Sequence, residues 1–139
     1  MMILVDTSVW IDYLNGKENS QVNILDSALI DGTVVIGDLI LLEILQGIKS
    51  ERDYKKTRTA LTTLEQYEMF GHKMVKKCAD NYRFLRKRGI TIRKTNDVII
   101  ATFCIENSLS LLFSDRDFIP FADHLGLIPA NIKSTSSPG

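Results

Sequence analysis

Four carboxylates stand out against the apolar pattern of this 139-residue sequence: Asp6, Glu43, Asp97 and Asp115. Asp6 ends the run Met2 to Val5 and is followed by Thr7 and Ser8. Asp115 follows Leu109 to Phe113, and Asp117 lies two positions on as a fifth acid. Asp97 lies in the segment TNDVIIA, and Glu43 is the single charge in LILLEILQGI. Carboxylates brought together repel strongly unless they are protonated or bound to cations. Oxygen donors without thiolate or imidazole suit Mg²⁺ or Mn²⁺. A carboxylate-held Mg²⁺ commonly serves phosphoryl chemistry: it neutralises phosphate charge and activates water. Each acid also has an ordinary alternative. Asp6 and Asp115 could be helix caps, Asp97 could complement a helix dipole, and Glu43 could line a thin solvated stripe with Gln46 and Gly47.

Whether these acids meet depends on the elements that carry them. Met2 to Val5, Thr33 to Ile36 and Leu109 to Phe113 read as buried strands. Tyr67 to Phe70 and Leu127 to Pro129 are weaker strand candidates, the last at an edge where Pro is tolerated. Helices are expected from Val9 to Leu14, Val22 to Ile30, Leu39 to Ile48, over 51–66, from Lys73 to Arg88, Thr95 to Asn107 and Phe118 to Leu125, with Gly89 as a stop signal. Strands alternating with helices predict an α/β fold: a parallel sheet of four to five strands sandwiched between helices. Asp6 and Asp115 then emerge on the same edge, where ligands collect in such sheets. The expected organisation is one domain over residues 1–132 and a flexible Ser/Pro/Gly-rich tail over 133–139.

Composition narrows the class. With 45% hydrophobic and 24% charged residues the chain fits a folded globular protein. Residues 1–8 lack the basic start and long apolar stretch of a signal peptide, and no run reaches the ~18 apolar residues of a membrane span. Cys78 and Cys104 lack metal spacing and fit buried thiols in a reducing cytoplasm. His72 and His124 are isolated and lack a zinc spacing. The formal net charge is zero but unevenly spread. Residues 1–48 hold seven acids against one Lys, 49–94 fourteen Lys/Arg against five acids, and 95–139 five acids against two. An acidic cation site beside a basic surface for a polyanion is one reading; solvated helix faces are the other.

Competing phosphate motifs are missing: there is no Gly-rich phosphate loop and no GxGxxG. The order MILVDTSVWIDYL, a Glu43 helix after a Gly-Asp turn, TNDVIIA and LLFSDRDF resembles the PIN domain, and within it VapC-type toxins of bacterial toxin–antitoxin pairs. The resemblance spans residues 2 to about 128. It implies a Mg²⁺-dependent endoribonuclease with Asp6, Glu43, Asp97 and Asp115 as the acidic metal-binding positions. Asp117 and a hydroxyl of Thr7 or Ser8 would be accessories. It also implies a homodimer and a VapB-like antitoxin whose tail enters the active-site groove.

The resulting reading is hydrolysis of RNA phosphodiesters by metal-activated water, with Mn²⁺ a possible substitute for Mg²⁺. Asp6 and Asp97 would hold the principal ion, and Glu43 and Asp115 would complete the site directly or through water. The basic stretch from Lys73 to Lys94 would hold the RNA backbone, with Arg86 and Lys87 within it and Arg116 beyond it as expected contacts. The rivals are a Mg²⁺-dependent small-molecule phosphohydrolase and a non-catalytic PIN-like interaction module. Part of the apolar surface of the first two helices is expected to bury a second copy or an antitoxin.

Overall fold

The structure, a computed structural model, describes residues 1–131; the expected tail over 133–139 lies outside them. Five strands form one sheet: β1 (Ile3–Val5), β2 (Val34–Gly37), β3 (Glu65–Tyr67), β4 (Ser110–Leu112) and β5 (Ile128–Pro129). Their spatial order is β3-β2-β1-β4-β5, and every pairing is parallel. Seven helices complete the fold: α1 (Thr7–Leu14), α2 (Ser20–Asp31), α3 (Asp38–Gln46), α4 (Glu51–Leu61), α5 (His72–Arg86), α6 (Thr95–Glu106) and α7 (Ile119–Leu125). No helix among the described residues is long and apolar enough to cross a membrane.

The core follows from the apolar runs. Leu4, Val5, Val35, Ile36, Leu111 and Leu112 are fully buried, as a sheet covered on both faces requires. α6 is buried at every residue from Asp97 to Cys104, so it is an internal helix and shows almost no amphipathic pattern. Cys78 and Cys104 are both buried free thiols.

Two segments differ from the sequence expectation. The charged helix stops at Leu61, short of residue 66. The third strand is Glu65–Tyr67, two residues before the expected Tyr67 to Phe70. β3 is an edge strand with Glu65 and Gln66 exposed, so it carries no apolar signal. Buried Met69 has a different task. Its side chain packs over Gly37, where an added Cβ would lie 2.1 Å from the Met69 sulfur. Asp38 Oδ1 accepts from the Met69 amide at 3.1 Å and from the Leu39 amide at 2.8 Å, closing the turn from β2 into α3. α5 ends at Arg86, and Gly89 takes a φ of +80° in the turn beyond it.

This topology fixes one position above others. From β1 the chain moves outward to β2 and β3 on one side, then returns to β4 and β5 on the other. The carboxyl ends of β1 and β4 therefore flank the switch point, where open α/β sheets leave a crevice. The Asp6 amide donates to the Leu112 carbonyl at 2.9 Å and ties these two strand ends together.

Candidate active site

Asp6 leaves β1 at this switch point and is only 6% exposed. Its backbone sits at the α1 N-cap, but its carboxylate makes no capping bond. Oδ2 instead accepts from the Ser8 hydroxyl at 3.0 Å, and Ser8 Oγ lies 3.1 Å from Ser114 Oγ on the loop after β4. Burial pushes the Asp6 carboxyl above its ordinary value. Ser8 and the adjacent backbone amides partly offset this, and the charge of Glu43 adds to it.

Asp97 comes to the same edge from a different direction. α6 runs back toward the start of β4, so its first turn lies at the carboxyl edge of the sheet. Asp97 is 6% exposed, and its Oδ2 is buried without a hydrogen-bond partner. A buried unpartnered carboxylate oxygen is costly and uncommon. Desolvation, followed by the charges of Asp6 and Asp115, raises its pKa to about 7; Lys94 acts in the opposite sense and Asp117 adds a smaller push upward.

Asp115 and Asp117 meet Asp97. One carboxylate oxygen from each of the three lies within 4.8 Å of the others. Asp115 does cap: its Oδ1 accepts from the Asp117 amide at 2.9 Å, at the head of a short 3₁₀ turn over Arg116–Phe118. Its Oδ2 lies 3.7 Å from Lys94 Nζ, and Asp117 Oδ2 lies 3.3 Å from the Arg93 guanidinium. The end of β4 is held by Asn131, whose amide group accepts from the Phe113 N–H at 3.0 Å and donates to the Phe113 carbonyl at 2.8 Å.

Glu43 is half-buried beside exposed Gln46 and Gly47, but its carboxylate is engaged by other side chains. Its Oε1 accepts from Thr7 Oγ1 at 2.6 Å and its Oε2 from Asn96 Nδ2 at 3.1 Å. Both oxygens are thus engaged by neighbours of Asp6 and Asp97. Asp97, Asp115 and Asp117 form the tight group, Asp6 couples to it through its field on Asp97, and Glu43 stands behind it in a clamp of its own. Sequence reasoning did not single out Asn96, Asn131, Arg93 or Lys94 for this site. The Asn residues act through contacts across 53 and 18 positions, for which local pattern holds no signal.

The donor set is entirely carboxylate oxygen, with one buried oxygen lacking a partner. That chemistry fits a hard divalent cation. Asp97, Asp115 and Asp117 could each offer it one oxygen, with the charge of Asp6 acting on Asp97.

Among the described residues no basic side chain of α5 pairs with these carboxylates. Lys73, Lys76, Lys77, Arg83 and Arg86, with Lys87 and Arg88 beyond the helix end, are all exposed. Lys77 pairs with Glu106, and Asn81 bonds Thr102 at 3.0 Å, so α5 and α6 run antiparallel. The same register carried one turn further brings Leu85 and Arg86 level with the turn that holds Asp97. The Arg86 guanidinium lies over the Tyr82 ring and that of Arg88 over Phe84. Arg116 is exposed between Asp115 and Asp117, and no ion pair involves it among the described residues.

The chain resembles known proteins over most of its length. The family described as PIN domain matches residues 3–123. The chain is 25% identical over 134 residues to VapC ribonuclease Mb1587 of Mycobacterium bovis, covering 95% of this chain and 100% of the relative. Ribonuclease VapC11 of Mycobacterium tuberculosis matches with the same identity and coverage. Among solved structures, VapBC2 from Rickettsia felis, bound to a DNA fragment from its promoter, aligns with a TM-score of 0.67 and 23% identity, over 93% of this chain and 97% of that one. FitAcB from Neisseria gonorrhoeae aligns with a TM-score of 0.69 and 18% identity, over 92% and 96%. These structural likenesses concern the fold.

Proposed function

The chain belongs to the PIN domain family, and from that premise we propose that it is a Mg²⁺-dependent endoribonuclease, the VapC-type toxin of a toxin–antitoxin pair. The observation that carries the reading is Asp97: a buried carboxylate with an unpartnered oxygen, facing Asp115 and Asp117 at the sheet's switch point. A purely structural acid in that position would leave a buried oxygen without a hydrogen-bond partner.

A bound divalent ion would supply charge neutralisation at the phosphate and a water acidic enough to act near neutral pH. Asp97, Asp115 and Asp117 would hold it, with Asp6 beside them. The Ser8 hydroxyl fixes the Asp6 carboxylate, and the Thr7 and Asn96 side chains fix that of Glu43. Glu43, with both oxygens already hydrogen-bonded, serves through water at the rim of the centre. The exposed cations of α5 hold the RNA backbone without choosing sequence.

The partner surface is a groove of about 680 Å³ between α1, α3 and α4, lined by Ile11, Leu14, Ile44, Ile48, Leu61 and Leu64 among others. Ile11 and Leu14 are each 42% exposed on its wall. An amphipathic segment of a VapB-like antitoxin fits such a surface. The relatives' names concern VapC ribonucleases and the structural neighbours include VapBC assemblies, which supports that partner. A homodimer and a cytoplasmic location belong to the same reading. The test is cleavage of RNA by the purified chain, freed of antitoxin, with Mg²⁺ and with chelator.

A further inference from the structure

Two adjacent cations reach the acidic group from one side. Arg93 and Lys94 directly precede α6, and their side chains are 75% and 64% exposed. Arg93 lies against Asp117 at 3.3 Å and Lys94 against Asp115 at 3.7 Å. The Lys94 backbone is pinned, since its carbonyl accepts from the Asp97 amide at 3.1 Å. Exposed pairs of this kind hold weakly and exchange easily.

The charge balance is the informative part. Asp97, Asp115 and Asp117 gather three carboxylates, and two cations answer two of them while Asp97 Oδ2 has no partner. A divalent ion would supply the same two positive charges to the group and would compete with Arg93 and Lys94 for Asp117 and Asp115. A guanidinium and an ammonium freed from those pairs would be available to a phosphate, and an Arg fork matches phosphate oxygens well. By contrast, Arg86 and Arg88 lie over the Tyr82 and Phe84 rings near the end of α5, and among the described residues neither pairs with a carboxylate of the group.

We propose that Arg93 and Lys94 are the phosphate-positioning cations of this centre, held against Asp117 and Asp115 in the ion-free protein and turned toward an RNA phosphate once a divalent ion replaces them. This rests on the ribonuclease reading above. Removing them has opposite effects on two ligands, which a merely structural role would not produce: metal binding tightens while RNA binding loosens.

The experiment measures Mn²⁺ affinity without RNA, and binding of a single-stranded RNA in Ca²⁺ as a function of KCl. The proteins are wild type, R93Q/K94Q, R86Q/K87Q and R93K. R93Q/K94Q should bind Mn²⁺ about three- to tenfold tighter at low salt, because two nearby positive charges are gone. Its RNA salt slope should flatten by roughly 0.7 for each lost phosphate contact. R86Q/K87Q removes the same charge from two exposed residues that pair with none of the carboxylates, and should leave Mn²⁺ affinity within about twofold. R93K keeps the charge and should keep wild-type Mn²⁺ affinity. Unchanged Mn²⁺ affinity or an unchanged salt slope in R93Q/K94Q would overturn the proposal, while wild-type binding of both ligands would leave the ribonuclease reading standing. A wild type that binds neither Mn²⁺ nor RNA would overturn both.

Discussion

Thr7 Oγ1 donates to Glu43 Oε1 at 2.6 Å, joining the first turn of α1 to the middle of α3 across 36 positions. Asn96 holds the other Glu43 oxygen. Groups that orient metal-site carboxylates typically cost about 10–100-fold in metal affinity or activity when removed. Thr7→Val should therefore lower kcat by about that factor and leave RNA affinity close to wild type. Thr7→Ser, which retains the hydroxyl, should recover most of the loss. Asn96→Ala should resemble Thr7→Val. Single-turnover cleavage beside RNA binding separates the two effects, and a Thr7→Val enzyme with full kcat would remove Glu43 positioning from the account.

The Asp97 carboxyl predicts a pH dependence of stability. Its pKa is about 7 in the folded protein against 3.8 for an ordinary Asp. Between those values the folded state binds more protons than the unfolded chain. Ion-free stability contributed by this group is therefore full below about pH 4 and is lost as pH rises toward 7. Asp97→Asn should be more stable than wild type at pH 8 in chelator and should lose that advantage by pH 4. Thermal unfolding of both proteins across this range checks it; parallel curves would contradict it. Mg²⁺ should raise the wild-type Tm more at pH 8 than at pH 5, because protons compete for the same oxygens.

Much of this site was legible in the sequence because its acids interrupt apolar patterns. Asp6 and Asp115 are where buried strands stop, and Glu43 is a lone charge in an apolar helix. The sheet order that brings those strand ends together is visible only once β1 is seen between β2 and β4. Asn96 and Asn131 were not legible, since each acts on a backbone or carboxylate far away in the chain. β3 was misplaced because an exposed edge strand lacks the alternation that marks buried ones, while Met69 and Phe70 beside it are apolar for other reasons.

Asn131 makes a prediction about the loop that carries Asp115. It bonds both the N–H and the carbonyl of Phe113. Asn131→Ala leaves two backbone groups at the end of β4 without these partners, at a cost of about 1–3 kcal/mol. A lowered Tm together with weaker Mn²⁺ binding is expected, because Asp115 lies two residues beyond the lost anchor. Unchanged Mn²⁺ affinity in a destabilised variant would limit Asn131 to a structural role.

The groove between α1, α3 and α4 makes another. Ile11→Glu or Leu14→Glu places a charge on its exposed wall and touches none of the site's acids. Affinity for a co-expressed antitoxin should fall more than about tenfold. The purified variants should keep wild-type RNA cleavage and a Tm close to wild type. Undisturbed antitoxin binding would move the partner surface elsewhere.

In the proposed mechanism the carboxylates at this switch point hold a divalent ion for RNA hydrolysis. A mixed RNA pool incubated with the purified, antitoxin-free chain, in Mg²⁺ and in excess chelator, with Asp97→Asn alongside, tests this. Cleavage is expected in Mg²⁺, none in chelator, recovery when Mn²⁺ is added, and none from the Asn variant under any of these conditions. Undiminished cleavage in excess chelator, or full cleavage by Asp97→Asn, would contradict it.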